Sequence, residues 1–233
     1  MIPKVIHYCW FGGKPLPADV KACIESWKKV CPDYRICRWD ETNFDVNAHP
    51  FMKAAYEAKA WAFVSDYARL QVVYTHGGVY LDTDVELLKP LDDFLSHSCY
   101  LAVQQADAQV ATGLGFGAEA GNPVIASMLR SYDDIPFDPG NRMQMACPLL
   151  NTRMLEALGY APSEEVQTVA GAVVYPPRYF DPVAPGCRDI TCEDTVSVHH
   201  YSATWVTGFG YWKRKLVRMI GDKWVIRLKG LLK

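Results

Sequence analysis

The sequence has no strong excess of charge of either sign. Across 233 residues, 24 Lys and Arg face 26 Asp and Glu, a formal net charge of −2. Nucleic-acid binding usually shows as a marked basic excess, so no nucleic-acid partner is expected. No apolar run reaches membrane-spanning length, and the opening Met1-Ile-Pro-Lys-Val-Ile-His-Tyr lacks the basic segment and long apolar stretch of a signal peptide. A cytoplasmic protein is the expectation. No Cys-x-x-Cys occurs among the eight cysteines, which are scattered from Cys9 to Cys192. That argues against a structural zinc site, and a chain of this size does not need disulfide staples, so reduced and mostly buried thiols are expected. Internal repeats and low-complexity linkers are also missing.

What is present is the material of a sizeable core: 50% of the residues are hydrophobic and 12% aromatic. One main domain is the default for this length. The charge is uneven, however. Between Trp212 and Lys233 eight Lys or Arg stand against Asp222 alone, interleaved with Trp212, Leu216, Ile220, Trp224 and further apolar residues. The division read from this is a domain over residues 1–211 and a basic amphipathic tail over 212–233. Such a tail suits an anionic membrane surface, which would make the protein peripheral at the inner face of the membrane. A helix packed on the domain with a solvated basic face is an equal alternative.

Along the chain, Lys4 to Trp10 reads as a strand ending at Gly12-Gly13, and Leu16 to Val30 as a helix with apolar positions at Val20, Ile24 and Trp27. Tyr34 to Trp39 alternates as a second strand. Pro50 to Ala60 and Trp61 to Tyr74 have helical spacing, the latter stopped by His76-Gly77-Gly78. Val79-Tyr80-Leu81 is a buried strand that runs into Asp82-Thr83-Asp84, and Val85 to Leu88 resumes β character. Further strands are expected at Tyr100 to Gln104 and Leu114 to Gly117, and helices at Asn122 to Ser131 and Pro148 to Leu158. Val173 to Tyr175, Tyr179-Phe180 and Thr195 to His200 read as strand and turn. The mixture predicts an α/β fold, a sheet flanked by helices, with ligands gathered at the carboxyl ends of strands.

Two aspartates two residues apart at the end of a strand point to one side, so Asp82 and Asp84 form a paired carboxylate site. Adjacent carboxylates repel and call for a cation. Hard oxygen ligands suit Mn²⁺ or Mg²⁺, which can bridge to a diphosphate. An isolated Asp-x-Asp more often only closes a turn. Its neighbours carry the case further. Asp66 and Arg69 share a helix face, where Arg69 can offer a planar fork to phosphate or sugar oxygens and Asp66 can accept from a sugar hydroxyl. On a peripheral helix they would be a surface ion pair of little value. His199-His200-Tyr201-Ser202-Ala203-Thr204-Trp205 adds imidazoles, hydroxyls and an indole. Adjacent histidines on a strand face opposite sides, so at most one can join the aspartates.

Ile2-Pro-Lys-Val-Ile-His-Tyr-Cys-Trp10-Phe-Gly-Gly13, Ser65-Asp-Tyr-Ala-Arg69, Gly77-Gly-Val-Tyr-Leu-Asp-Thr-Asp84 and His199-His200 with Trp205, in this order, resemble the capsular-polysaccharide and mannosyltransferase-type family with the DXD sugar-binding motif. The donor site of that family is similar to that of the glucosylating clostridial toxins. The resemblance implies a GT-A fold, a nucleotide-sugar donor, a glycan or lipid-linked acceptor, a divalent metal and transfer with retention. It gives Trp10 to the nucleotide base, Asp66 and Arg69 to the donor sugar and phosphates, and Asp82 to the sugar or ribose. Asp84 becomes the principal metal ligand, assisted by Asp82 and His200. Ser202, Thr204 and Trp205 would close over the diphosphate together with His200. Ala111-Thr112-Gly113-Leu114-Gly115 and Ala146-Cys147-Pro148 stand where relatives carry an Asn-rich segment and a Thr-Gly-Pro that contribute to the sugar pocket.

Two alternatives stand beside this reading. Leu81-Asp-Thr-Asp-Val85 also resembles the opening of a haloacid-dehalogenase-like phosphatase, although such an enzyme expects Thr or Val where this chain has Glu86 and the motif near the start of the domain. The other is a sugar-nucleotide or glycan binding protein that has lost turnover.

Overall fold

The computed structural model of the chain describes residues 1–202. Thr204, Trp205 and the basic tail lie outside the described residues. The chain opens with β1 (Val5–Cys9), α1 (Ala18–Val30), β2 (Arg35–Trp39), α2 (Pro50–Glu57), α3 (Trp61–His76), β3 (Gly78–Tyr80) and β4 (Val85–Leu87). It continues through β5 (Cys99–Ala102), β6 (Phe116–Ala118), α4 (Pro123–Arg130), α5 (Cys147–Glu156), β7 (Gln167–Val169), β8 (Ala172–Tyr175), α6 (Pro177–Phe180) and β9 (Ser197–His199).

Seven strands form a mixed sheet in the order β2-β1-β3-β6-β5-β8-β7. β1 is parallel to both β2 and β3, with Ile6 opposite Ile36 on one side and Val79 on the other. β6 runs antiparallel to β3 and β5, β8 is parallel to β5, and β7 is an antiparallel edge. β4 and β9 make a separate antiparallel ladder in which Val85 faces His199. Side chains alternate between two cores, one on each face. Val79 and Tyr100 join Trp27, Phe94 and Phe180, whereas Tyr80 and Leu101 join Phe51, Leu70, Phe116 and Ile125. Burying each of the largest apolar side chains contributes about 1.5–3 kcal/mol before the entropy of ordering it is subtracted.

Helix α1 buries Val20, Cys23, Ile24 and Trp27, the spacing of one helical face. It also holds β4 in place: Trp27 Nε1 donates to the Val85 carbonyl at 2.7 Å, and the Leu87 amide donates to Ser26 Oγ at 3.0 Å. His7 of β1 ties β2 to the end of α3. Its Nε2 donates to the Gly77 carbonyl at 2.9 Å and its Nδ1 accepts from Trp39 Nε1 at 3.0 Å, an arrangement that requires the neutral ring. Burial accordingly lowers its pKa to about 4. Gly78, at φ +108°, passes directly over this ring; a Cβ there would lie 2.9 Å from His7 Nε2.

Three local expectations are corrected. The strand before the aspartates ends at Tyr80, so Asp82, Thr83 and Asp84 form a turn closed by the Val85 amide donating to the Asp82 carbonyl at 3.0 Å. Tyr179-Phe180 belongs to one turn of helix, because Pro177 sits at its first position with its dihedral already helical. The edge strand β7 was not expected; Gln-Thr-Val is too short and polar to register as a strand without its partner.

Candidate active site

Helix α3 ends at Gly77, and the chain turns straight back into β3, so the buried face of α3 lies beside the turn that follows β3. Asp66 and Arg69 sit on that face with side-chain exposures of 12% and 5%, which rules out a surface ion pair. Arg69 Nη2 is 3.0 Å from Asp66 Oδ1 and 3.2 Å from Asp82 Oδ1, so one guanidinium serves two carboxylates from different elements. Its Nε donates to the Ser65 carbonyl at 3.0 Å, and its carbon lies 5.0 Å from the centre of the Tyr80 ring. Tyr80 in turn donates its hydroxyl to Asp82 Oδ1 at 3.1 Å. The fork is therefore engaged by Asp66, Asp82 and the Ser65 carbonyl through Nη2 and Nε.

Asp84 is held differently. The β4–β9 ladder brings the end of β9 against the turn, where His199 Nε2 lies 3.1 Å from Asp84 Oδ1 and the Ser202 amide donates to Oδ2 at 2.7 Å. The His200 amide donates to the Asp84 carbonyl at 2.9 Å. Asp82, Asp84 and His199 each offer a ligand atom, all within 4.8 Å of one another. The turn achieves what the strand was expected to do: both carboxylates face one place.

The imidazole at the aspartates is thus His199, and the expectation for His200 is corrected. His200 points to the other side of β9 and lies 2.9 Å from Glu86 Oε2, as neighbouring strand residues must alternate. Ser202 reaches Asp84 through its backbone amide. Trp10 is half-buried at the carboxyl end of β1, its Nε1 donating to the Lys14 carbonyl at 2.6 Å.

The acidities follow from this geometry. Burial raises Asp66 to about 6, with Asp82 adding to the rise and Arg69 opposing it. Burial also raises Asp82, again against Arg69. For Asp84, burial is outweighed by the charge and hydrogen bond of His199 and by the Ser202 amide, and its pKa falls to about 2. His199 is raised: burial opposes its charge, but Asp84, Asp82 and Asp181 outweigh it. Three carboxylates against one permanent cation leave surplus negative charge, which favours the charged form of His199. Two carboxylates and an imidazole converging on one point fit a divalent cation of the Mn²⁺ or Mg²⁺ type.

Gly113 escaped the reading as an individual residue. Its carbonyl accepts from the Asp82 amide at 3.1 Å, and a Cβ on it would lie 2.2 Å from Asp82 Oδ2. The two unusual segments meet behind Arg69. Cys147 Sγ is 4.0 Å from Arg69 Nη1 and 3.5 Å from Thr112 Oγ1, and Asn151 Nδ2 donates to Thr112 Oγ1 at 3.3 Å. A separate cleft of about 410 Å³, lined by Trp39, Phe44, Tyr67, Gln71 and His76, shares no residue with the carboxylates. Trp39 stacks on His76 there, and Tyr67 on His49.

Residues 17–101 match the family described as the glycosyltransferase sugar-binding region containing the DXD motif, a stretch that holds Asp66, Arg69, Asp82 and Asp84. The chain is similar to an uncharacterized glycosyltransferase of Acanthamoeba polyphaga mimivirus, 24% identical over 88% of this chain and 84% of the relative. It is also similar to inositol phosphoceramide mannosyltransferase 3 of Schizosaccharomyces pombe, 24% identical over 59% of this chain, and spans only 39% of that protein. Among solved structures it resembles the PaToxG glycosyltransferase with a TM-score of 0.53 at 20% identity, covering 67% of this chain and 68% of that one. With the mixed sheet above, that likeness gives the architecture as GT-A. The phosphatase alternative is set aside by the family match. Among the described residues no helix is long and apolar enough to cross a membrane.

Proposed function

We propose, from the match of residues 17–101 to the DXD-containing glycosyltransferase region, that the chain transfers a hexose-type sugar from a UDP- or GDP-linked donor. In this reading the acceptor is a glycan or lipid-linked glycan in polysaccharide synthesis, the reaction is metal-dependent and the anomeric configuration is retained. The observation that carries the reading is the convergence of Asp82, Asp84 and His199 beside the Asp66–Arg69 pair. The mannosyltransferase relative supports the hexose, and retention rests on the motif resemblance.

Asp84, Asp82 and His199 would hold Mn²⁺ or Mg²⁺, which when bound neutralises the diphosphate as it leaves the sugar. Asp66, whose pKa of about 6 leaves it mostly ionised at neutral pH, accepts from donor-sugar hydroxyls. Arg69 fixes both Asp66 and Asp82 and supplies positive charge next to the departing phosphate. Trp10, half-exposed at the carboxyl end of β1, offers a ring on which the base stacks. Thr204 and Trp205 follow Ser202 in sequence and would close over the diphosphate. Catalysis here is positioning and electrostatic stabilisation, with no protein nucleophile assigned.

The test is a panel of UDP- and GDP-sugars with Mn²⁺ or EDTA, scored by nucleotide release and thermal shift. One donor should stabilise the protein and hydrolyse slowly only with metal, and Asp84→Ala should abolish both effects. Turnover that survives Asp84→Ala, or tight donor binding with neither transfer nor hydrolysis, would overturn the proposal. The tail over 212–233 is read as a surface anchor for a lipid-linked acceptor. If the full chain and one ending at Tyr211 sediment equally with anionic liposomes, that part fails.

A further inference from the structure

We propose that Asp181 and Tyr201 form a latch that holds the His199–Ser202 segment against Asp84, which makes both of them positioning residues for this arm of the site. The cation-binding consequence rests on the function proposed above; the latch itself does not. Asp84 is contacted three times by four consecutive residues: His199 through its ring, His200 through its amide and Ser202 through its amide. Strand β9 ends at His199, and the His200 amide donating to the Asp84 carbonyl is the last ladder bond among the described residues. For the Ser202 amide to come back to the carboxylate that His199 already reaches, the backbone must reverse in between. It does so at Tyr201, which has φ +50°. An aromatic residue seldom adopts that conformation and keeps it only where its surroundings enforce it.

The enforcing contact comes from α6. Asp181, the residue that ends this helix, is fully buried and accepts the Tyr201 hydroxyl at 2.7 Å on Oδ2, which also accepts the Gln105 amide at 2.9 Å. Its other oxygen has no partner among the described residues, and burial pushes its pKa up. A buried carboxylate with one unfilled oxygen is a costly group to keep. Holding Tyr201 gives it a task. The same helix grips the start of β9, where Ser197 Oγ donates to the Phe180 carbonyl at 3.4 Å. The chain is therefore anchored to α6 on both sides of His199.

The ring of Tyr201 completes the latch. It packs against the His199 ring, tilted by 49° with centroids 4.1 Å apart. A histidine that binds a metal through one nitrogen is usually oriented by a hydrogen bond from the other. Here His199 Nδ1 is buried without a partner among the described residues. Packing against Tyr201, itself fixed by Asp181, takes over that orienting role.

Tyr201→Phe keeps the ring and removes only the hydroxyl. Amide hydrogen exchange without metal should speed up about tenfold at His200 and Ser202, the factor expected for one hydrogen bond lost, and stay unchanged over 78–81. Mn²⁺ affinity, titrated with the metal alone, should weaken about tenfold, as for other losses around a metal ligand. Asp181→Ala should do the same. Asp181→Asn, which still offers an oxygen to Tyr201, should restore most of the protection. Unchanged exchange at Ser202 in Tyr201→Phe overturns the latch whatever Asp181→Ala does to folding. If exchange responds while the unaltered protein takes up no Mn²⁺, the latch stands and the cation reading fails.

Discussion

Asp66 and Asp84 are almost equally exposed, at 12% and 15%, and each has one cationic neighbour, Arg69 at 3.0 Å and His199 at 3.1 Å. Their acidities nevertheless move in opposite directions, up to about 6 for Asp66 and down to about 2 for Asp84. Burial acts on both. The difference lies in how the neighbours are shared. Arg69 is divided between Asp66 and Asp82, so each carboxylate feels a fraction of the cation and the full charge of the other. Asp84 has His199 and the Ser202 amide on its two oxygens. A buried carboxylate is governed less by whether a cation is near than by how many acceptors that cation must satisfy.

The strongest way to break this comparison is Arg69→Met. It removes the one charge that two buried carboxylates share, and breaking such a pair costs about 3–5 kcal/mol. Urea unfolding at pH 7 should show that loss. It should shrink as the pH is lowered toward 5, because Asp66, already raised, then takes up a proton in the folded state and the uncompensated charge disappears. Adding Asp82→Asn should recover part of the stability at pH 7. A loss below about 1 kcal/mol would mean that the guanidinium is a surface group in solution.

The Asp84 arm is smaller and bounded by pH. The folded-state pKa of Asp84, about 2, lies below its ordinary 3.8. Its contribution is therefore complete above about 3.8 and is lost as the pH falls through 2. At 1.36 kcal/mol per unit the contribution is about 2 kcal/mol, counted once for the Asp84–His199 pair. His199 is raised, so its share is present below the ordinary histidine value and fades as the pH rises through its folded one. The stability advantage of the unaltered chain over His199→Gln should shrink by up to about 2 kcal/mol between pH 4.5 and 2. A constant difference across that range would show that His199 holds Asp84 by packing alone.

The contrast also explains what could be read before the structure. Asp66 and Arg69 are three apart on one helix, so local geometry was enough to pair them; Asp82 and Asp84 were paired by strand alternation, whereas a turn brings them together. The alternation of β1 and the helix stop at Gly77-Gly78 were legible for the same reason. Sequence also required that His199 and His200 face opposite sides. Which of them meets Asp84 depends on the β4–β9 register, in which Val85 faces His199, a pairing of residues 114 apart that no local pattern encodes. The role of Asp181 was hidden likewise, because its partner Tyr201 comes from another element. Gly113 carries no side chain to attract notice; its signal is the space it leaves.

That space gives the smallest and most selective perturbation. Gly113 does not have a positive φ, so Gly113→Ala fits the backbone, and its effect is a Cβ placed 2.2 Å from Asp82 Oδ2 and 3.0 Å from Arg69 Nη1. The Asp82 side chain is 27% exposed and can swing away. The stability cost should therefore stay near the lower end for overpacking, about 1 kcal/mol by thermal unfolding. Swinging away takes Asp82 off Arg69 and Tyr80, however, and leaves Asp66 as sole acceptor of the guanidinium. Asp66 should then titrate lower than in the unaltered chain, because an undivided Arg69 opposes the burial that raises it and the neighbouring negative charge has moved off. Following its carboxyl carbon by NMR across pH 4 to 7 checks this. An unchanged midpoint would mean that sharing of Arg69 is not what separates Asp66 from Asp84, and burial depth alone would have to account for the difference.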